Sequence, residues 1–298
     1  MRILVWDLPT RLFHWLLAAS LVVAYLSAGE ANWLNVHVFS GYLMLGLLGF
    51  RLLWGFVGGR YARFSSFRFS LKEGLGYLKQ VLAGTARRHL GHNPAGSWAV
   101  YLLLTLSFLA GLSGLVTLAG QEGQGPLAAW VPYASSAAFK EIHEAVVNAM
   151  LAMVILHLAG VALESWRHRE NLPRAMLSGS KEGAPAAATP SRHLFSALLL
   201  LAAVATGGLG YFGSAAVSAT EHDAGYKINR SIDPRETPLR ITETPYWKGK
   251  HGHLSASVWH APQVGSKANC AACHQSAERA VFAGAAIPPD VTAKLAMR

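Results

Sequence analysis

Apolar positions along the chain gather into five long runs, roughly 12–28, 34–57, 98–119, 139–163 and 194–217. Each is long enough to cross a bilayer as a helix, which takes about 20 residues. The first four runs form one block. A short Ala/Pro-rich stretch, 183–190, reads as a linker. The fifth run follows it and leads into a segment rich in Pro, Gly and mixed charge. The pattern predicts an all-α membrane protein carrying a small additional C-terminal domain.

The polar positions set the orientation. The loop after the second run holds Arg60, Arg63, Arg68, Lys72, Lys79, Arg87 and Arg88. The loop after the fourth holds Arg167, Arg169, Arg174, Lys181 and Arg192. The 29–33 and 120–138 loops hold neither Lys nor Arg. Basic loops stay in the cytoplasm, so the N-terminus is expected inside and, after five crossings, the C-terminus outside.

Composition changes the picture little. Charged residues make up only 14% of the chain, where a soluble domain carries about 25%. The net charge of +10 would suggest nucleic acid in a soluble protein. Here the basic residues sit in loops between spans, so topology explains them and no nucleic-acid partner is expected. Met1 to Pro9 includes Asp7 and Pro9, and the first run offers no small-residue cleavage site, so no cleavable signal is expected.

The chain has two cysteines, too few for a disulfide framework. They stand in Cys270-Ala271-Ala272-Cys273-His274, a C-x-x-C-H haem-attachment signature. The two thiols add to the haem vinyl groups and the adjacent imidazole reaches the iron. A structural zinc site would need further ligands at a set spacing, and a redox C-x-x-C would sit near a βαβ pattern; neither context is visible. Some 80 residues of this composition would struggle to build a core unaided, and a haem supplies apolar bulk. The expected topology also puts Cys270 outside, where covalent haem attachment normally takes place. His251, His253, His260, His222 and Met297 are all open as the second iron ligand.

Ionisable residues inside spans are functional by default. His14 lies at the cytoplasmic start of the first run and His37 at the outer start of the second. His143 and His157 share the fourth run, 14 residues apart. That spacing is about four helical turns, so both face nearly the same way, roughly 21 Å apart along the axis. Depth then pairs His37 with His143 and His14 with His157, each pair able to clamp one haem b iron through neutral nitrogens. Arg51, 14 residues after His37, has two open roles: a partner for an inner-haem propionate, or a snorkelling interface residue. Gly41, Gly111 and Gly114 are either points of porphyrin approach or ordinary helix-packing positions. No nucleophile–base pair, phosphate loop or HExxH is present, which removes the hydrolase classes, and no inverted repeat supports a transporter.

The stretch Trp6-Asp7-Leu8-Pro9-Thr10-Arg11-Leu12-Phe13-His14-Trp15 resembles the opening of the bacterial cytochrome b561 / nickel-hydrogenase b-type subunit family. Phe50-Arg51-Leu52-Leu53-Trp54-Gly55-Phe56-Val57-Gly58, Gly91-His92-Asn93-Pro94-Ala95-Gly96 and His168-Arg169-Glu170-Asn171-Leu172 carry the same resemblance, which covers about residues 1–180. It implies a four-helix bundle with two b haems, ligated at His14, His37, His143 and His157, passing electrons between an extracytoplasmic partner and the quinone pool. Related formate dehydrogenase subunits place a quinone beside the inner haem, near an Asn-containing turn. Asn93 is similar, although Asn-Pro-Ala-Gly departs from the tighter Asn-x-Gly and also suits a plain turn. Residues 246–284 resemble the C-terminal part of small dihaem cytochromes c, with one C-x-x-C-H in place of two. That resemblance maps the distal ligand to His251, with His253 as the alternative.

The expected organisation is therefore a cytochrome b561-like domain at 1–180 and a cytoplasmic linker at 181–193. A fifth transmembrane helix follows at 194–217, and a periplasmic monohaem cytochrome c domain at 218–298. Two haem b, one covalent haem c and an exchangeable quinone are the expected cofactors. The expected setting is the bacterial inner membrane, with lipid, the quinone pool and a periplasmic cytochrome or a dehydrogenase or hydrogenase subunit as partners. The competing expectation is an anchoring cytochrome subunit of a larger hydrogenase or dehydrogenase, with no substrate chemistry of its own.

Overall fold

The computed structural model describes residues 1–29, 33–67, 69–190, 193–218, 228, 231–232 and 238–274. Arg68 and Arg192 of the basic loops, and the ligand candidates His222 and Met297, lie outside the described residues. Among the described residues, five helical stretches are long and apolar enough to cross a membrane: Leu8–Leu26, Leu34–Val57, Pro94–Glu122, Ser135–Arg167 and Leu194–Ser214. They fall on the five apolar runs, and the chain is a helical multi-pass membrane protein. Large apolar side chains stay on the outside, as with Leu53 at 70% and Ile155 at 68% exposure. In water such stripes would be a liability; in a bilayer they face the solvent they suit.

Two compact units are present. The first takes residues 1–26, 36–114 and 140–210; the second takes 27–35, 115–139 and the chain from Tyr211 onward. In element order, β1 (Arg2–Leu4) precedes α1 (Leu8–Leu26) and α2 (Leu34–Val57). Then come α3 (Leu71–Leu82), α4 (Pro94–Thr117), α5 (Tyr133–Arg167), α6 (Leu172–Ser178), β2 (Ser180–Glu182) and α7 (Leu194–Ser218). Two short helices, α8 (Pro245–His251) and α9 (Ala256–Trp259), precede a single 3₁₀ turn at Cys270–Ala272.

The core of the first unit has two parts. Met44, Leu48, Ala110 and Met150 form one, with Leu17, Leu21 and Val147 packed around them. Phe13, Leu47 and Leu200 form the other, so α7 packs on the same bundle as α1 and α2. Met150 stands seven residues from both His143 and His157, so this core fills the level between the two histidine pairs.

The polar end of the unit is tied by long-range contacts. Asp7, only 2% exposed, accepts hydrogen bonds from Thr10 N (3.0 Å), Trp54 Nε1 (3.3 Å) and Gly59 N (3.0 Å). Any side chain at position 59 would meet the Asp7 carboxylate, which accounts for the glycine. In the 58–93 connection, α3 is capped by Ser70, whose Oγ accepts from Glu73 N. The helix turns Gly74 onto the Trp98 ring and donates Tyr77 Oη to Glu164 at 3.0 Å.

The Ala/Pro-rich stretch does not run free as its composition suggests. β2 pairs antiparallel with β1, matching Arg2 to Glu182 and Leu4 to Ser180. Thr189 then donates its N–H to Leu4 O at 2.7 Å and its hydroxyl to Val5 O at 3.0 Å. Lys181 and Thr189 are buried by this pairing. The segment ties the chain start to the stretch that follows α6.

Candidate metal centres

Three histidine pairs come together. His14 on α1 and His157 on α5 have ring centroids 6.5 Å apart, with planes crossed at 54°. His37 on α2 and His143 on α5 are 6.2 Å apart, at 80°. In the second unit, His251 at the end of α8 lies 6.1 Å from His274 of the C-x-x-C-H turn, at 78°. Two imidazoles bound end to end to one metal ion, at about 2.0–2.1 Å per metal–nitrogen bond, place their centroids roughly 6 Å apart. All three pairs fit that spacing.

Backbone carbonyls fix the ring orientations. His37 Nδ1 lies 2.8 Å from Ala24 O, His143 Nδ1 2.9 Å from Ala110 O, and His251 Nδ1 3.0 Å from Trp247 O. A ring whose Nδ1–H donates to a carbonyl keeps its Nε2 lone pair for a metal. Ser113 Oγ, 3.2 Å from His143 Nδ1, adds a further contact. His14 differs, because its Nδ1 is buried with no hydrogen-bond partner.

A Cβ at Gly41 would meet nothing within 4 Å. A Cβ at Gly111 would collide with Leu45, a helix-packing contact. A Cβ at Gly114 would come within 3.1 Å of His143 Cε1, so the glycine leaves room for that imidazole.

The C-x-x-C-H turn is built locally. Thr244 caps α8 by accepting from Trp247 N, and Pro245 occupies the first turn. Trp247 stacks on His251 at 4.5 Å and 16° and is itself backed by Trp259 at 5.4 Å. Burial pushes the His251 imidazole below the usual histidine range, despite its bond to Trp247 O, which favours the neutral form a ligand needs. Burial, then Cys270, push the Cys273 thiol up. Cys270 and Cys273 flank a single 3₁₀ turn, both half-buried and unbridged. His253 and His260 are exposed. Among the described residues, no group of three or more His, Cys, Asp or Glu is placed to hold a metal ion.

Asn93 caps α4: its Oδ1 accepts from Gly96 N at 2.6 Å. It also borders a small, solvent-open recess whose lining includes Glu164, His168, Glu170 and Lys181. Arg51 is 3% exposed, its guanidinium 4.8 Å over the Phe64 ring and 5.8 Å from that of Phe67. Its Nη1 has no hydrogen-bond partner. The guanidinium is thus buried against the connection that follows α2.

Two residues escape a reading of the sequence as sites. Asp7 is the hub described above. His92, in the Gly-His-Asn-Pro turn, packs its ring 4.3 Å from Phe67 and 4.9 Å from Trp6, with Nδ1 buried and unpartnered. Burial foremost, then the charge of Arg51, pushes it down to about 3, so it is neutral at physiological pH.

Residues 5–179 match the family model for prokaryotic cytochrome b561, and residues 211–282 match that for dihaem cytochrome c. The chain is 26% identical to a probable Ni/Fe-hydrogenase B-type cytochrome subunit of Rhizobium leguminosarum bv. viciae. The match covers 59% of this chain and 87% of the relative. A protein of the same description from Azotobacter chroococcum mcd 1 is 27% identical, over 59% of this chain and 86% of its own length. No solved structure matches the chain. With cytochrome models covering both the bundle and the C-terminal segment, haem is the cofactor class, and the chain belongs to the prokaryotic cytochrome b561 family.

Proposed function

We propose that the chain carries electrons across the bacterial inner membrane, between a redox partner outside the cytoplasm and the quinone pool. The observation behind this reading is the set of three histidine pairs at 6.1–6.5 Å. His14 and His157 hold one b haem, and His37 and His143 hold the second. Cys270 and Cys273 would attach a c haem, and His274 and His251 would hold its iron. Each bound haem supplies a one-electron couple between ferric and ferrous iron.

The residues around the pairs do the rest. Carbonyls of Ala24, Ala110 and Trp247 hold the imidazole tautomers. The apolar core around Met44 and Met150 keeps water away from the level between the two bundle pairs. The basic loops put the His14–His157 end at the cytoplasmic side and the C-terminal domain outside. Quinone would exchange at the His14–His157 end, the cytoplasmic side on the reading of the basic loops.

The test is a membrane preparation of the holoprotein. A reduced quinone analogue is expected to reduce the b haems, and an oxidised one to reoxidise them. Haems that exchange no electrons with either would remove the quinone from the account.

A second reading is favoured by the names of the two relatives, both probable hydrogenase cytochrome subunits. In it the chain anchors a hydrogenase large subunit and accepts its electrons. Co-purification of a stoichiometric large subunit distinguishes this reading; a chain purified alone that still exchanges electrons with quinone supports the first.

A further inference from the structure

Arg51 presents a problem of charge. Its guanidinium stays protonated at any working pH. It is 3% exposed, and among the described residues no carboxylate pairs with it within 4.0 Å. The nearby Asp7 carboxylate already accepts from Thr10, Trp54 and Gly59. A buried cation without a partner is strongly unfavourable, so an anion is expected where Nη1 points.

His92 adds a second unmet demand at the same place. Both Arg51 and His92 pack on the Phe67 ring. Nδ1 of His92, like Nη1 of Arg51, is buried with no hydrogen-bond partner. Arg51 stands 14 residues, about four turns, along α2 from His37, at the end of the bundle where His14 and His157 meet. Two buried nitrogens from different stretches of chain, α2 and the turn before α4, therefore belong to side chains that share the Phe67 ring. A planar guanidinium fork and a neutral N–H donor together suit a carboxylate.

We propose that Arg51 and His92 form a clamp for one propionate carboxylate of the haem held by His14 and His157. The inference rests on the haem assignment above and adds His92, which no other observation assigns, as a positioning residue. Arg51 neutralises the carboxylate in a dry site, and His92 fixes its direction by a single hydrogen bond. Trp6 and Phe67 hold the His92 ring in place. The clamp would hold one carboxylate of the haem and set the charge beside it.

The test is a spectroelectrochemical titration of the full-length, haem-loaded protein. A His157→Ala variant first identifies which b haem belongs to this site. Removing a positive charge or a donor from beside the haem favours the ferric form. Arg51→Gln and His92→Phe are each expected to lower the midpoint of that b haem and leave the other two haems unchanged. The double variant should shift it by less than the sum of the singles, because both act on one carboxylate. His92→Gln keeps an N–H donor and should stay near the wild-type midpoint. If His92→Phe sheds the haem, His92→Gln decides alone: retained haem at the wild-type midpoint supports the clamp, and the same loss overturns it. Unchanged midpoints in Arg51→Gln and His92→Phe with haem retained would overturn it, as would an equal shift of both b haems. A wild-type protein lacking the second b haem would overturn the haem assignment and the clamp together, so wild-type haem content separates the two failures.

Discussion

The imidazoles of His251 and His274 lie 6.1 Å apart, centroid to centroid, with their planes crossed at 78°. The first sits at the end of α8 and the second closes the C-x-x-C-H turn, with 23 residues of separation. A stacked Trp247 and the Trp247 carbonyl both hold His251 in this pose. Among the described ligand candidates, His251 is the one whose ring lies against His274, while His253 and His260 are exposed.

His251→Ala should therefore leave haem c covalently attached and open one axial position. Its optical spectrum should change from low-spin to high-spin, and the ferrous form should bind carbon monoxide. Persistence of a low-spin spectrum in this variant would point to another residue as the distal ligand.

Each bundle pair should fail on its own. His157→Ala is expected to remove about half of the acid-extractable haem and leave the rest, because its partner His14 contributes nothing to the His37–His143 site. His37→Ala should produce the complementary loss. Total loss of extractable haem in either variant would contradict two separate sites.

Asp7 should matter for stability before it matters for electron transfer. Asp7→Ala removes the acceptor of three buried donors on α1, α2 and the turn after α2. Unsatisfied buried donors and the loss of an N-cap together predict destabilisation of about 3 kcal/mol. Asp7→Asn should recover little, since its amide group would face Trp54 Nε1 or Gly59 N as a donor opposite a donor. Thermal unfolding in detergent, followed by loss of the haem absorption band, measures both.

The sequence makes the spans and the chemistry readable for a simple reason. In a bilayer, an apolar run and a helix are nearly the same statement, because the backbone must bond within itself. The 14-residue spacing of His143 and His157 fixes their shared face for the same reason. The C-x-x-C-H signature is local and needs no tertiary context. What is not readable depends on contacts between distant residues. Asp7 meets Trp54 and Gly59 from 47 and 52 positions away. His92 stands in a polar turn and is buried only because Trp6 and Phe67 close over it. The 180–189 strap has the composition of a linker, and only the pairing of β2 with β1 makes it structure. Arg51 lies between these cases: its position on α2 is legible, but its lack of a carboxylate partner is not.

The most direct measurement is a pyridine haemochrome spectrum of the purified protein before and after acid-acetone extraction. The three histidine pairs predict about two extractable b haems for each retained c haem. Only covalent haem, with nothing extractable, would mean that His14, His37, His143 and His157 hold no b haem, and would contradict the account at its centre.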